Sequence, residues 1–365
     1  MAKLNEGDVM EGIFAICLAD IFAHNSINKG NVNKIRREID PELFRDGSFS
    51  KEVWRVKDGS PKDNIGVTLN MRLKYNSTFE AFGANYEPLY ESSNDIGNLD
   101  KKINTLVSYV NTHYASKVRR VKDTYLKNNQ ADEVNIVINA DGIAGESSGG
   151  NIKGDLMVTV FINDVRQMDT EMVFSLKSGS KTLANLSPYN GMKDVIGRFG
   201  VQLDSDDDIK FTNYLGDQLK QAKTPHEKKL KVKLINEMYG KMLKGIKDKP
   251  KTGPFVAATF KLFRDVTFGE DLADVVDIDK TKIKEMIPEY IDQLEQETTS
   301  IKTVMKPANG KGSNVTLKFH MMPSDKELFQ LRFKQRVDGL GDDFKIKELK
   351  FYVEAGTGAY APKLK

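Results

Sequence analysis

The acid and amine of this sequence best placed to act on one substrate lie in two short apolar runs. Asp155 opens the run Leu156-Met157-Val158-Thr159-Val160-Phe161-Ile162, and Lys177 closes the run Glu171-Met172-Val173-Phe174-Ser175-Leu176-Lys177. The polar stretch Asn163 to Asp169 separates them, so the spacing predicts an antiparallel hairpin with its turn centred near Arg166. Such a hairpin brings Asp155 opposite the Ser175 to Lys177 end of the second strand. Side chains alternate along a strand, so Ser175 and Lys177 share a face. A carboxylate and an ammonium at one end of a sheet are parts that phosphodiester hydrolysis needs. The acid holds a divalent cation, and the amine orients the attacking water and offsets charge in the transition state. The plainer reading of the same residues is a turn-capping aspartate after Gly154 and a solvated lysine at a strand end.

These strands need a sheet around them. Val134 to Asn139 reads as a β-run and is followed by the Gly/Ser-rich loop Gly142 to Gly150; Val67 to Leu73 alternates as a further strand. Ile103, Leu106, Val107, Val110, Tyr114, Val118, Val121 and Tyr125 recur at helical spacing, predicting a helix over Leu99 to Lys127 with Lys117, Arg119, Arg120 and Lys122 on its other side. Upstream, Val9 to Phe22 is apolar but broken by Glu11 and Asp20. It is too short and too charged for a membrane span and predicts a buried amphipathic helix, with a short second helix over Asn31 to Ile39. From Pro188 the pattern turns helical, and Asp206 to Glu297 reads as helical throughout. Strands return at Asn314 to Met321, Leu328 to Val337 and Phe344 to Glu354. The expected class is α/β: a central mixed sheet flanked by helices, with an α-helical insertion. The expected divisions are a core over 1–200, a basic helical subdomain over 201–299 and an antiparallel β segment over 300–365.

The two runs resemble the PD-(D/E)XK nuclease superfamily. Lys153-Gly154-Asp155-Leu156-Met157-Val158 looks like the strand that opens with the metal-binding aspartate, and Phe174-Ser175-Leu176-Lys177-Ser178 like the strand ending in acid-X-Lys. The likeness covers about Val134 to Gly200. Asn185 and Tyr189 are similar to the Gln-X-X-X-Tyr helix motif of a subset of these nucleases. Leu331-Arg332-Phe333-Lys334 and Tyr352-Val353-Glu354-Ala355-Gly356 resemble proteins of large tailed bacteriophages. The resemblance implies a restriction-endonuclease-like fold, an Mg²⁺ (or Mn²⁺) cofactor and DNA as substrate, with Asp155 on the metal and Lys177 on the water. One position departs from the pattern: Ser175 stands where the family carries Asp or Glu, and a neutral hydroxyl is a poor ligand for a hard cation. The second carboxylate must then come from elsewhere. Some members take it from an N-terminal core helix, which implies Glu11; Glu146 and Asp141, in and before the glycine-rich loop, are the alternatives. Glu171 would sit roughly 20 Å along the strand from Lys177 at ~3.4 Å per residue and is unsuitable. The other class of function compatible with Ser175 is a non-catalytic DNA-binding or phage assembly protein that keeps the fold.

Composition narrows the remaining choices. The net charge of +3 is too small to mark a nucleic-acid binder by itself, so local clusters must carry that reading. Lysines crowd the segment from Lys220 to Lys251, Lys228, Lys229 and Lys231 among them; Arg332, Lys334 and Arg336 share one face of a strand. Each set suits phosphate contact, and equally a solvated helix face or a charged edge strand. Cys17, the single cysteine, lies in an apolar run and reads as a small buried hydrophobe, which excludes an intramolecular disulfide or a cysteine-rich zinc cage. The four histidines have no zinc spacing, the glycine-rich loop has no Gly-Lys-Ser/Thr ending, and Asp204, Asp206, Asp207 and Asp208 lack Ca²⁺-loop spacing and read as a helix start. Trp54 reads as a core or interface anchor. The expected setting is the cytoplasm, that of a bacterial host if the protein is phage-encoded. DNA is the expected partner and no membrane is; a homodimer is left open.

Overall fold

The computed structural model describes residues 6–24, 26–32, 48–56, 65–72, 93–118, 120, 133–140, 155–177, 182–186, 190–215, 223–269, 273–278, 283–306, 314–340 and 346–355. The chain divides into two compact units. One comprises residues 1–179, 268–287 and the last two residues; the other comprises 180–267 and 288–363. The expected boundaries at 200 and 299 both fall inside the second unit, which unites the helical middle of the chain with the C-terminal strands.

The first unit is a seven-stranded mixed sheet in the order β1-β2-β3-β4-β5-β7-β8. Its strands are β1 (Ser48–Val56), β2 (Ile65–Arg72), β3 (Val134–Ala140), β4 (Leu156–Ile162), β5 (Val165–Lys177), β7 (Asp274–Ile278) and β8 (Ile283–Met286). The pairs β2–β3 and β5–β7 are parallel and the others antiparallel. The run expected to be helical from Asp206 to Glu297 therefore contains two strands. Val275, Val276 and Ile278 are buried on a completed sheet, a long-range pairing that local periodicity does not report.

Helix α1 (Glu6–His24) packs on this sheet, and α2 (Ser93–His113) packs on α1 and β8. The amphipathic face expected of α1 is absent: Ile13 to Phe22 are all fully buried, as a helix apolar all round must be. Asp20 is buried among them with its carboxylate satisfied by His24 Nδ1 (2.7 Å), the Asn28 amide (3.0 Å) and Asn31 Nδ2 (3.2 Å). Cys17 is inert in the same core, its thiol pushed far up by burial and by Asp20. Helix α2 begins earlier than its periodicity suggested, and residues 115–118 continue as helix after a turn at Tyr114. Of the helix expected over Asn31 to Ile39, residues 31 and 32 are helical and the rest lie outside the described residues.

The second unit is a five-stranded antiparallel sheet in the order β6-β12-β11-β10-β9. It comprises β6 (Thr182–Leu186), β9 (Ser300–Lys306), β10 (Asn314–Met321), β11 (Lys326–Leu340) and β12 (Ile346–Ala355). Around it lie α3 (Asn190–Arg198), α4 (Ser205–Leu215), α5 (Pro225–Asp248), α6 (Gly253–Phe268) and α7 (Pro288–Glu297). Helix α5 packs on β9, β10 and β11, and Phe263 stacks on Phe329 with ring centroids 5.0 Å apart. Asp204 caps α4 by accepting the Asp207 amide (2.7 Å), while Lys193 and Lys241 pair with Asp208 and Asp207; the acidic cluster is a helix start, as expected. Among the described residues no helix is long and apolar enough to cross a membrane.

Candidate active site

The β4–β5 hairpin turns more tightly than its polar residues suggest. Asn163 and Asp164 take φ of 48° and 64°, the left-handed pair that a two-residue hairpin turn needs and that Asn and Asp tolerate best. Asn163 also ties the turn to the start of β3, its amide donating to the Glu133 carbonyl (3.0 Å) and its side-chain oxygen accepting the Glu133 amide (3.1 Å). From here Ile162 pairs with Val165 and Val160 with Gln167.

That register, continued unbroken, would carry Asp155 opposite Met172. It would then lie five residues short of Lys177, roughly 17 Å at ~3.4 Å per residue. A bulge corrects this. Val158 pairs with Met172 instead, so Thr159 alone faces the segment Met168 to Glu171. An ion pair from Arg166 to Glu171 spans the bulge. Glu171, too distant to be a ligand, thus holds the irregularity that sets the register. Beyond it Leu156 pairs with Phe174, and the Asp155 amide donates to the Phe174 carbonyl at 2.7 Å.

Asp155 consequently lies beside Ser175, with its carboxylate across the end of β5. Oδ2 accepts the Leu176 amide at 2.6 Å and the Ser175 hydroxyl at 3.2 Å, and it lies 3.9 Å from Lys177 Nζ. Ser175 is buried; the Asp155 and Lys177 side chains are about a third and a quarter exposed, at 32% and 26%. The carboxylate is therefore oriented by two fixed donors and faces an amine on a solvent-reachable rim.

Alternation assigns the faces. Leu156, Phe174 and Leu176 join the core under α1, where Phe14 meets Phe174 edge-on at 5.2 Å, so Asp155, Ser175 and Lys177 project from the other face. Glu11 is half-buried on α1, which packs on the first of these faces. Among the described residues no group of three or more His, Cys, Asp or Glu is arranged to hold a metal ion. Glu146, Asp141 and Tyr189 lie outside the described residues. Asn185 lies on strand β6, where it pairs with Tyr352 of β12; the helix motif expected there is replaced by an edge strand that the C-terminal sheet recruits. One acid escaped the sequence reading. Asp277, half-buried, is the register partner of Lys177 across the parallel β5–β7 pair and so shares its face. Its only signal was the β-branched run Asp274 to Ile278.

The expected phosphate contacts divide. Lys228 is buried (9% exposed) on the inward side of α5, Lys229 is exposed and Lys231 is half-buried. Arg332 and Lys334 share Glu354 as partner, at 3.9 and 3.5 Å, on the outer face of β11; the Arg336 side chain lies outside the described residues. Comparison with family models, with curated proteins and with solved structures returns no match for this chain.

Proposed function

We propose that this protein is a divalent-cation-dependent nuclease acting on DNA, of restriction-endonuclease-like type, with Asp155 and Lys177 as its acid and its cation. The observation that carries the reading is the 3.9 Å approach of Lys177 Nζ to Asp155 Oδ2 at the end of a hairpin that reaches this register only through a bulge. The residues fit a loosely held cation and not a caged one. The Asp155 carboxylate beside Lys177 suits an Mg²⁺ (or Mn²⁺) that keeps much of its water and takes other oxygens from the substrate's phosphates. When bound, such an ion supplies Lewis-acid polarisation of the phosphoryl oxygen and an acidified water. Asp155 would hold it. The Leu176 amide and Ser175 hydroxyl keep that carboxylate turned toward the strand end, and Lys177 brings positive charge to the phosphorane as negative charge develops. Ser175 donates to the carboxylate and has no charge to give a metal.

A second reading rests on a specific observation: Asp155 Oδ2 is already engaged by Ser175 and Leu176, and no acid stands at position 175. On that reading the protein binds DNA, or serves phage assembly, without cleaving. Incubation of plasmid and single-stranded DNA with Mg²⁺, Mn²⁺ or chelator distinguishes the two. Metal-dependent nicking that disappears in Asp155→Ala and Lys177→Ala supports the nuclease. Salt-sensitive binding without cleavage by any form supports the second reading and refutes the first.

A further inference from the structure

Helix α5 buries Ile235, Met238, Tyr239, Met242, Leu243 and Ile246, a complete inward face. Its outward face carries a line of lysines. At 100° per residue Lys229 and Lys247 point the same way, five turns and roughly 27 Å apart, and Lys233 and Lys244 fall within about 60° of them. Lys233 and Lys244 are 72% and 66% exposed, and Lys229 and Lys247 are exposed too. Two acids of α5 adjoin the line, Glu237 and Asp248, each in an exposed pair with a lysine of the line one turn away, the kind that water and salt weaken; Asp207 of α4 pairs with Lys241 on the same helix.

Folding alone does not account for this arrangement. The positive end of the helix dipole is at Pro225, where anions belong, yet the first turn holds one acid, Glu227, and is followed at once by Lys228, Lys229, Lys231 and Lys233. Like charges on successive turns of one face also repel. Lys229 and Lys233, near the N-terminal end, therefore cost stability where they stand, and a linear polyanion lying along the helix would offset that cost.

We infer that the Lys229, Lys233, Lys244 and Lys247 stripe of α5 is a docking surface for the phosphodiester backbone of DNA. This rests on the proposed DNA-directed function and shifts the expected contacts from Lys228, which is buried, and Lys231, which is half-buried, to the exposed lysines of the same helix. Four counterion-releasing contacts should contribute about 3.6 to the slope of log affinity against log salt on duplex DNA, at about 0.9 per contact.

The test is duplex binding in chelator, over a salt series, by the full chain and by the quadruple Lys→Gln and quadruple Lys→Arg variants at these positions. The expected result is a slope shallower by about 3 to 4 for Gln, a wild-type slope for Arg, and a Gln variant that remains folded with a Tm close to that of the wild type. A Gln variant with the wild-type slope overturns the inference. So does transfer of the loss to Arg332→Gln/Lys334→Gln, or equal capture by anionic phosphatidylserine vesicles. Because chelator suppresses cleavage, the outcome separates from that of the active site. Should the wild type bind through the stripe yet never cleave, the nuclease reading falls and this one stands; should it cleave while the Gln variant binds normally, the reverse holds.

Discussion

Removing the Asp155 carboxylate tests the geometry of the hairpin end without reference to any reaction. In Asp155→Ala the Leu176 amide and the buried Ser175 hydroxyl lose their acceptor, and Lys177 loses its counter-ion. Charge-assisted hydrogen bonds contribute about 1.5 to 3 kcal/mol each when buried. This carboxylate is about a third exposed, so water replaces part of what is lost, and the surface ion pair adds little. A net destabilisation of about 2 kcal/mol is expected for Ala. Asp155→Asn keeps an oxygen for the Leu176 amide and loses only the charge, so about 1 kcal/mol is expected. Ser175→Ala in the Asp155→Ala background should cost less than in the wild type, because the two groups act on each other. Urea titration followed by circular dichroism, with an unchanged m value, measures these differences. An Ala variant within about 0.5 kcal/mol of wild type, or Asn no better than Ala, would mean that the carboxylate is not held as described.

Two further predictions concern groups away from the site. Burial, more than any neighbour, raises the phenols of Tyr109, Tyr114 and Tyr239 above their ordinary 10.0. The folded state thus binds these protons more tightly than the unfolded one. Their contribution is complete below pH 10 and is lost as pH rises further, so a spectrophotometric titration should show these tyrosines ionising only with unfolding; reversible ionisation in the folded protein would refute their burial. Lys251 donates to the carbonyls of Ile246 (3.0 Å), Lys247 (2.9 Å) and Lys249 (2.5 Å) and lies 4.2 Å from the Phe255 ring centroid, capping the end of α5. Lys251→Met should cost about 1 to 2 kcal/mol in thermal or urea unfolding, and a change below about 0.5 kcal/mol would show that water serves those carbonyls equally well.

The approach of Asp155 to Lys177 was legible in the sequence because hairpin geometry and strand alternation are local rules. The route to it was not. The turn was read as a seven-residue polar stretch, whereas Asn163-Asp164 alone closes it and the rest forms the start of β5 and its bulge. A turn centred on Arg166 moves the pairing five residues too far along β5, and the bulge shifts the actual register three residues in the same direction, which leaves Asp155 beside Ser175. Strands β6 and β7 escape local reading because their partners β12 and β5 lie far away in sequence; β8 and β9 pair with their neighbours β7 and β10, but their patterns are only four and seven residues long. Helix α1 was recognised as buried, but its lack of a polar side follows from packing that periodicity cannot express. The choice of Glu11 rests on resemblance and not on any local pattern around it.

On the proposed function, Asp155 holds a divalent cation that the DNA helps to bind. Electron paramagnetic resonance of Mn²⁺, titrated into the full chain with and without a phosphorothioate duplex that resists cleavage, measures this directly. Ion binding is expected to strengthen when DNA is present and to be lost in Asp155→Asn while that variant still binds the duplex. Mn²⁺ binding that is the same in Asp155→Asn, or absent from the wild type with DNA present, would contradict it.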